Sequence, residues 1–199
     1  MSAEPTIFVV DDDEAVGRAL QSAGKFLGHP VRAFTSAAAF LAAFDPEQPG
    51  CLVLDIRMPG MTGLELQRVL SDAGATIPVV MISGHADVRI AVEAMTLGAV
   101  TLLEKPFRLD ELLTHVRRAL EKDRAERESR QHTADADARL RALTAKEREV
   151  LDMIATGKTN REMADALGLS VRAVEDRRAR LMKKVNAKSV AELVKLLAH

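Results

Sequence analysis

Five short apolar runs, TIFVV (6–10), VRAF (31–34), CLVLD (51–55), IPVVMIS (77–83) and VTLLE (100–104), alternate with longer amphipathic stretches. Those stretches cover residues 14–28, 36–44, 62–73, 87–97 and 109 onward. Strand-like runs that alternate with helix-like segments predict a parallel sheet covered by helices on both faces. Near-continuous Val, Ile and Leu fits strands buried on both sides, as a doubly wound sheet requires. TGLE at 62–65 is a capping box, which places the start of the third helix. The expected unit is a five-stranded α/β domain over residues 1–121.

The pattern then changes. Residues 120–141, LEKDRAERESRQHTADADARLR, are polar almost throughout, lack Pro and Gly, and are rich in helix formers. A charged helical linker over 122–141 is expected. Beyond it, TAKE (144–147), TNRE (159–162) and SVAE (189–192) are three further capping boxes, and Ser170 is another N-cap. Gly157 and Gly168 stand where helices should stop. Residues 142–199 therefore predict an all-α domain of four short helices. Charge divides in the same way: residues 1–120 hold 10 Lys+Arg against 15 Asp+Glu, and 121–199 hold 18 against 14. All six phenylalanines lie at or before Phe107. Two compositions imply two cores, one acidic and one mildly basic.

The lone Cys51 excludes an internal disulfide and a cysteine metal cluster; its expected role is a small buried hydrophobe. No apolar run approaches membrane-spanning length, and MSAEPT does not open like a signal peptide. A cytoplasmic protein without a membrane partner is expected.

The chemistry lies in what each strand-like run ends in. The first ends in Asp11, Asp12 and Asp13, the third in Asp55, the fourth in Ser83, and the fifth in Lys105 followed by Pro106. In a doubly wound sheet, ligands bind at the carboxyl ends of the strands, where strand order reverses. If the first and third strands are neighbours, the acids gather in one crevice. Carboxylates so placed call for a hard divalent cation, Mg²⁺, with waters and phosphate oxygens completing its shell. A hydroxyl and an ammonium suit the remaining oxygens of a phosphoryl group. Asp13 and Glu14 are expected only to start the first helix, whose N-terminus favours acids.

VVDDDE, LVLDIRMPGMTG, MISG and EKPF, in this order and each at a strand end, resemble the receiver domain of bacterial response regulators over residues 5–121. The resemblance implies a flavodoxin-like fold in which Asp11 and Asp12 hold Mg²⁺ together with Asp55 and the backbone carbonyl of Arg57. It implies that Asp55 attacks the phosphohistidine of a sensor histidine kinase, that Ser83 and Lys105 contact the phosphoryl group, and that the Lys105–Pro106 bond is cis. One position departs from the family pattern: Leu102 stands where an aromatic switch residue is usual. His85 either tunes phosphoryl lifetime or is a plain loop histidine.

NREMADALGLSVRAVEDRRARLMKKV places two helices around a short turn at Gly168 and Leu169, a helix-turn-helix whose second helix enters the major groove of double-stranded DNA. That second helix carries Arg172, Arg177, Arg178, Arg180, Lys183 and Lys184 against only Glu175 and Asp176. From Leu143 onward, LTAKEREVL and SVRAVEDRRARLMKKV resemble the LuxR-type output domain. The resemblance implies that Glu175, Asp176 and Ala179 face base edges while Arg172, Arg177, Arg178 and Lys184 lie nearer phosphates. Asp176 either accepts from a cytosine amine or points away. Val174, Leu181 and Val185 are the expected core.

Both halves together resemble the FixJ/NarL-type response regulators. They imply a phosphorylation-controlled transcription factor rather than an enzyme, a homodimer when phosphorylated, with RNA polymerase as a further partner. The family's dimer face corresponds to residues 87–104. Asp11 and Asp13 also form the D-x-D of haloacid-dehalogenase-like phosphatases. That family needs an acidic pair after the lysine, which EKPFRLDELL does not supply at a strand end, and Asp55 would be idle. A receiver that works without phosphorylation, as a dimerising DNA-binding module, would have no use for these acids.

Overall fold

Strands β1 (Thr6–Val10), β2 (Val31–Phe34), β3 (Gly50–Asp55), β4 (Val79–Ser83) and β5 (Thr101–Glu104) form one parallel sheet in the order β2-β1-β3-β4-β5. Helices α1 (Glu14–Leu27), α2 (Ala37–Ala43), α3 (Gly63–Asp72) and α4 (Val88–Thr96) connect them, and α5 (Leu109–Arg141) follows β5. The computed structural model describes residues 4–84 and 87–197. It divides into two units, Met1–Glu126 and Arg127–His199.

Alternation along the strands builds two cores. Ile7, Val9, Cys51, Val53, Val80 and Ile82 meet Leu20 of α1 and Leu112, Val116 and Ala119 of α5 on one face. Phe8, Val10, Leu52, Leu54 and Met81 meet Phe40 of α2, Leu66 and Leu70 of α3 and Ala94 of α4 on the other. Successive strand residues point to opposite faces, so a central strand with both faces covered must be apolar throughout. The edge strands β2 and β5 are only partly buried, which is why VRAF tolerates a charge. Leu52 is fully buried, and Leu52→Ala should destabilise the first unit by about 2–5 kcal/mol in a urea titration. A loss below about 1 kcal/mol would show that this face is not packed as described.

Cys51 is buried as expected, and its thiol pKa is raised by burial and by the charge of Asp123. Asp123 itself departs from the sequence reading. The segment 122–141 is expected as a charged helical linker, yet Asp123 is 2% exposed and its Oδ2 accepts from the backbone N–H of Gly50 at 2.9 Å. Helix α5 therefore stays packed on the sheet past residue 121.

The second unit contains α6 (Ala145–Ala155), α7 (Asn160–Leu167), α8 (Val171–Val185) and α9 (Val190–Leu197). Thr144 and Thr159 each close a reciprocal capping box, with Glu147 and Glu162. The third box is only half made. Ser189 accepts from Glu192 N–H at 3.1 Å, but the Glu192 carboxylate reaches past it to Lys188 N–H at 2.8 Å. Leu143, Val150, Leu151, Ile154, Met163, Val174, Leu181, Val185 and Leu193 form the core of this unit, which includes the three α8 residues expected there.

Candidate functional site: an acidic crevice and a helix-turn-helix

Strands β1 and β3 are neighbours, so the sheet reverses its order between them and the two acidic strand ends lie side by side. Oxygens of Asp11, Asp12 and Asp55 all lie within 4.8 Å of one another. Asp11 and Asp55 are buried, whereas Asp12 is exposed. Asp11 Oδ1 accepts from Asp13 N–H at 2.9 Å, and Asp55 Oδ2 accepts from Arg57 N–H at 2.8 Å. The Lys105 ammonium closes the crevice at 2.8 Å from Asp11 Oδ2 and 2.9 Å from Asp55 Oδ1.

Burial pushes the Asp55 carboxyl pKa up, and the hydrogen bond and charge of Lys105 only partly offset it. Burial also works against the Lys105 ammonium, but its bonds to Asp11 and Asp55 outweigh that and hold its pKa up. An isolated ion pair would lower the acid and raise the base. Both rise here because Asp55 is deep and one ammonium serves two carboxylates. Three carboxylates against one ammonium leave an excess of negative charge surrounded by oxygen donors. That donor set fits a hard divalent cation such as Mg²⁺.

Ser83 ends β4 fully buried, and its carbonyl accepts from Lys105 N–H at 2.7 Å, which ties the two phosphate-binding candidates together. The Lys105–Pro106 bond is cis. Leu102 pairs with Met81 in the sheet and packs, half-buried, against the α3/α4 side of the core. Asp13 caps α1, accepting from Ala15 N–H at 2.9 Å, and Glu14 occupies the first turn, as expected. His85 lies outside the described residues.

Gly63 is a supporting residue that sequence reasoning passed over. A Cβ there would stand 2.2 Å from the backbone oxygen of Asp55, and its N–H donates to Ile56 O at 3.0 Å. Only a glycine lets α3 start against the end of β3. Gly63→Ala should destabilise the protein by about 1–3 kcal/mol and disturb Asp55, seen together in denaturation and phosphoryl-labelling rates. Unchanged values for both would mean that α3 has room to withdraw.

In the second unit, Gly168 closes α7 in the left-handed region at φ 62°, and Ser170 caps α8 by accepting from Ala173 N–H at 3.2 Å. Opposite the buried Val174, Leu181 and Val185, α8 exposes Arg172, Asp176, Ala179 and Lys183, spaced i, i+4, i+7, i+11 along one face. Lys183 was not among the expected contact residues, although this spacing from Arg172 marks it. Glu175 is exposed beside that stripe, and Arg177 is half-buried at its flank.

Two of the expected phosphate contacts also hold partners on neighbouring helices. Lys184 Nζ donates to Glu147 Oε2 at 2.7 Å, joining α8 to α6. Arg178 Nη1 donates to Asn160 Oδ1, while Asn160 Nδ2 donates to Glu175 Oε1 at 3.4 Å, joining α8 to the start of α7. Each cation thus has a partner inside its own domain. The Lys184 bond and the Thr144 donors hold the Glu147 carboxyl down at about 2.

Two family models divide the chain between them. Residues 7–117 match the response regulator receiver domain, and residues 141–197 match the bacterial regulatory proteins of the luxR family. The chain belongs to the two-component response regulators with a LuxR-type output domain. Such response regulators are transcriptional regulators rather than enzymes. The chain is 43% identical over 192 residues to the transcriptional regulatory protein FixJ of Azorhizobium caulinodans, covering 96% of this chain and 90% of that protein. It is 39% identical over 195 residues to nodulation protein W of Bradyrhizobium diazoefficiens, covering 98% and 86%. Among solved structures, response regulator StyR superposes with a TM-score of 0.85 at 39% identity, covering 98% and 99%. Full-length FixJ from B. japonicum superposes with 0.60 at 37% identity, covering 98% and 97%. No helix among the described residues is long and apolar enough to cross a membrane.

Proposed function

We propose that this response regulator takes a phosphoryl group from a sensor histidine kinase onto Asp55 and thereby controls its binding to DNA. The carrying observation is that Asp55 ends β3 beside Asp11 and Asp12, with Lys105 held between Asp11 and Asp55. An Asp55 carboxylate oxygen attacks the phosphorus, the N–P bond of the phosphohistidine breaks, and its electron pair returns to the imidazole. The product is an acyl phosphate on Asp55. Lys105 and Ser83 stand where the phosphoryl oxygens would be received. Asp11, Asp12, Asp55 and the Arg57 carbonyl would hold Mg²⁺, which when bound offsets carboxylate and phosphoryl charge. Arg57 N–H keeps the Asp55 carboxylate in one orientation.

Incubation with acetyl phosphate and Mg²⁺ should add one base-labile phosphoryl mass to the peptide containing Asp55. A chelator should prevent it, and Asp12→Ala should weaken Mg²⁺ binding in a calorimetric titration. Labelling on another peptide, or labelling indifferent to chelator, would overturn the assignment.

On the output side, Arg172 and Lys183 on the exposed face of α8, with the exposed Arg180 and the half-buried Arg177 beside it, would meet phosphates, while Asp176, Ala179 and Glu175 would meet base edges. The part of α5 beyond Glu126 serves as the helical link between receiver and output domain. On α4, Val88, Val92 and Met95 are exposed on one face, which supports dimerisation of the phosphorylated chain through residues 87–104. A dimer matches a two-fold operator.

A further inference from the structure

We propose that Gln67 is a positioning residue of the phosphorylation switch: it fastens the C-terminal end of α4 to α3, so that α4 answers a phosphoryl group by moving at its N-terminal end. Gln67 is 3% exposed, and its Nε2 donates to Ala94 O at 3.3 Å and to Leu97 O at 3.1 Å. Its Oε1 meets no hydrogen-bond donor among the described protein groups. The opposite amide orientation would face that oxygen with two carbonyls, so the donors are correctly assigned. Both accepting carbonyls lie at the C-terminal end of α4, where a helix leaves carbonyls without partners of its own. What the glutamine adds is a bond to the end of a neighbouring helix.

A second tie runs beside it. Arg68 Nη2 lies 2.8 Å from Glu93 Oε1, joining the same two helices at the surface, where such a pair is weak by itself. The other end of α4 has no comparable tie to α3 among the described residues. Asp87 caps it, accepting from Ile90 N–H at 2.8 Å, and only three residues separate that cap from Ser83. A phosphoryl group on Asp55 that engages Ser83 is thus felt first at the N-terminal end of α4. The apolar face follows this gradient: Val88 is 78% exposed, Val92 60% and Met95 50%, falling toward the fastened end. A helix held at one end turns a small displacement near Ser83 into a defined reorientation of that face. Unfastened, the same displacement spreads into slack. The inference rests on the reading that phosphorylation at Asp55 promotes pairing through α4.

The full-length chain, with and without acetyl phosphate and Mg²⁺, gives two dimer dissociation constants by sedimentation, and their ratio measures coupling. Wild type should show a ratio well above one. Gln67→Met should be labelled as fully as wild type, yet its ratio should fall about fivefold or more, the low end of usual allosteric coupling. Its Gly98 and Ala99 amides, which close the end of α4 on Met95 O and Ala94 O, should exchange faster. A normally labelled Gln67→Met with the wild-type ratio overturns the proposal. Should Gln67→Met fail to fold, the surface tie serves instead: Arg68→Glu alone should lower the ratio and Arg68→Glu with Glu93→Arg should restore it. No change in the first, or no recovery in the second, overturns the proposal. A wild-type ratio of one removes the dimerisation reading itself and the proposal with it.

Discussion

Asp55→Asn is expected to abolish phosphoryl labelling while making the unlabelled protein more stable at neutral pH. The first effect follows from the loss of the carboxylate oxygen proposed to attack phosphorus; an amide has no equivalent nucleophile. The second follows from burial. The Asp55 carboxyl is raised above its ordinary pKa by burial, in spite of Lys105, so ionising it costs the folded state. An acid raised on folding lowers stability at pH values above its unfolded pKa, and that penalty disappears as pH falls below it. The stability advantage of Asp55→Asn should therefore be present at pH 7 in chelator and fade as pH falls through the ordinary carboxylate range. Added Mg²⁺ should reduce it as well, because a bound cation favours the carboxylate. Urea titrations at pH 7 and pH 3.5 measure this directly. An Asp55→Asn chain less stable than wild type at pH 7 in chelator would show that the Lys105 pair outweighs burial.

Affinity for operator DNA should fall steeply with salt. If Arg172, Arg177, Arg180 and Lys183 each meet a phosphate, a dimer makes about eight contacts, so the logarithm of affinity should fall with a slope near −7 against the logarithm of salt. Between 50 and 200 mM salt that is a loss of about 10⁴-fold. Lys183→Ala should weaken binding to all sequences alike and make the slope shallower by about one contact per chain. Asp176→Ala and Glu175→Ala should instead change which sequence is preferred. Arg178→Ala acts by another route, since it releases Asn160 and through it Glu175. It should alter sequence preference together with affinity. Titrations on a specific and a random duplex at several salt concentrations separate these outcomes. A slope near zero would mean that α8 does not lie along a phosphate backbone.

The strands were legible because a sheet covered on both faces demands unbroken apolar runs, and each run stops where a polar side chain must reach the edge of the sheet. Asp11, Asp55, Ser83 and Lys105 announce themselves by that position. What joins them is not legible. Whether one ammonium reaches two carboxylates depends on the β1–β3 adjacency and on a separation of 94 residues between Lys105 and Asp11. The helix-turn-helix was equally plain from Gly168, Ser170 and the apolar spacing of α8. Its charges were harder to sort. Lys184 and Arg178 look like the other cations of α8 until Glu147, 37 residues earlier, and Asn160, 18 residues earlier, prove to be their partners. Asp123 and Gln67 were hidden for the opposite reason. Polar residues on amphipathic helices read as solvated, and only the packed neighbours reveal them as buried. Gly63 carried a signal, a glycine at the first position of a capped helix, whose cause is the backbone of Asp55 behind it.

The central claim, that a phosphoryl group on Asp55 governs DNA binding, is tested most directly by titrating one operator duplex with wild type and Asp55→Asn, each with and without acetyl phosphate and Mg²⁺. Allosteric coupling is usually about 1–3 kcal/mol, so labelling should change wild-type affinity by about 5–150-fold and leave Asp55→Asn unchanged. Equal affinity of labelled and unlabelled wild type, or an equal response in Asp55→Asn, would contradict it.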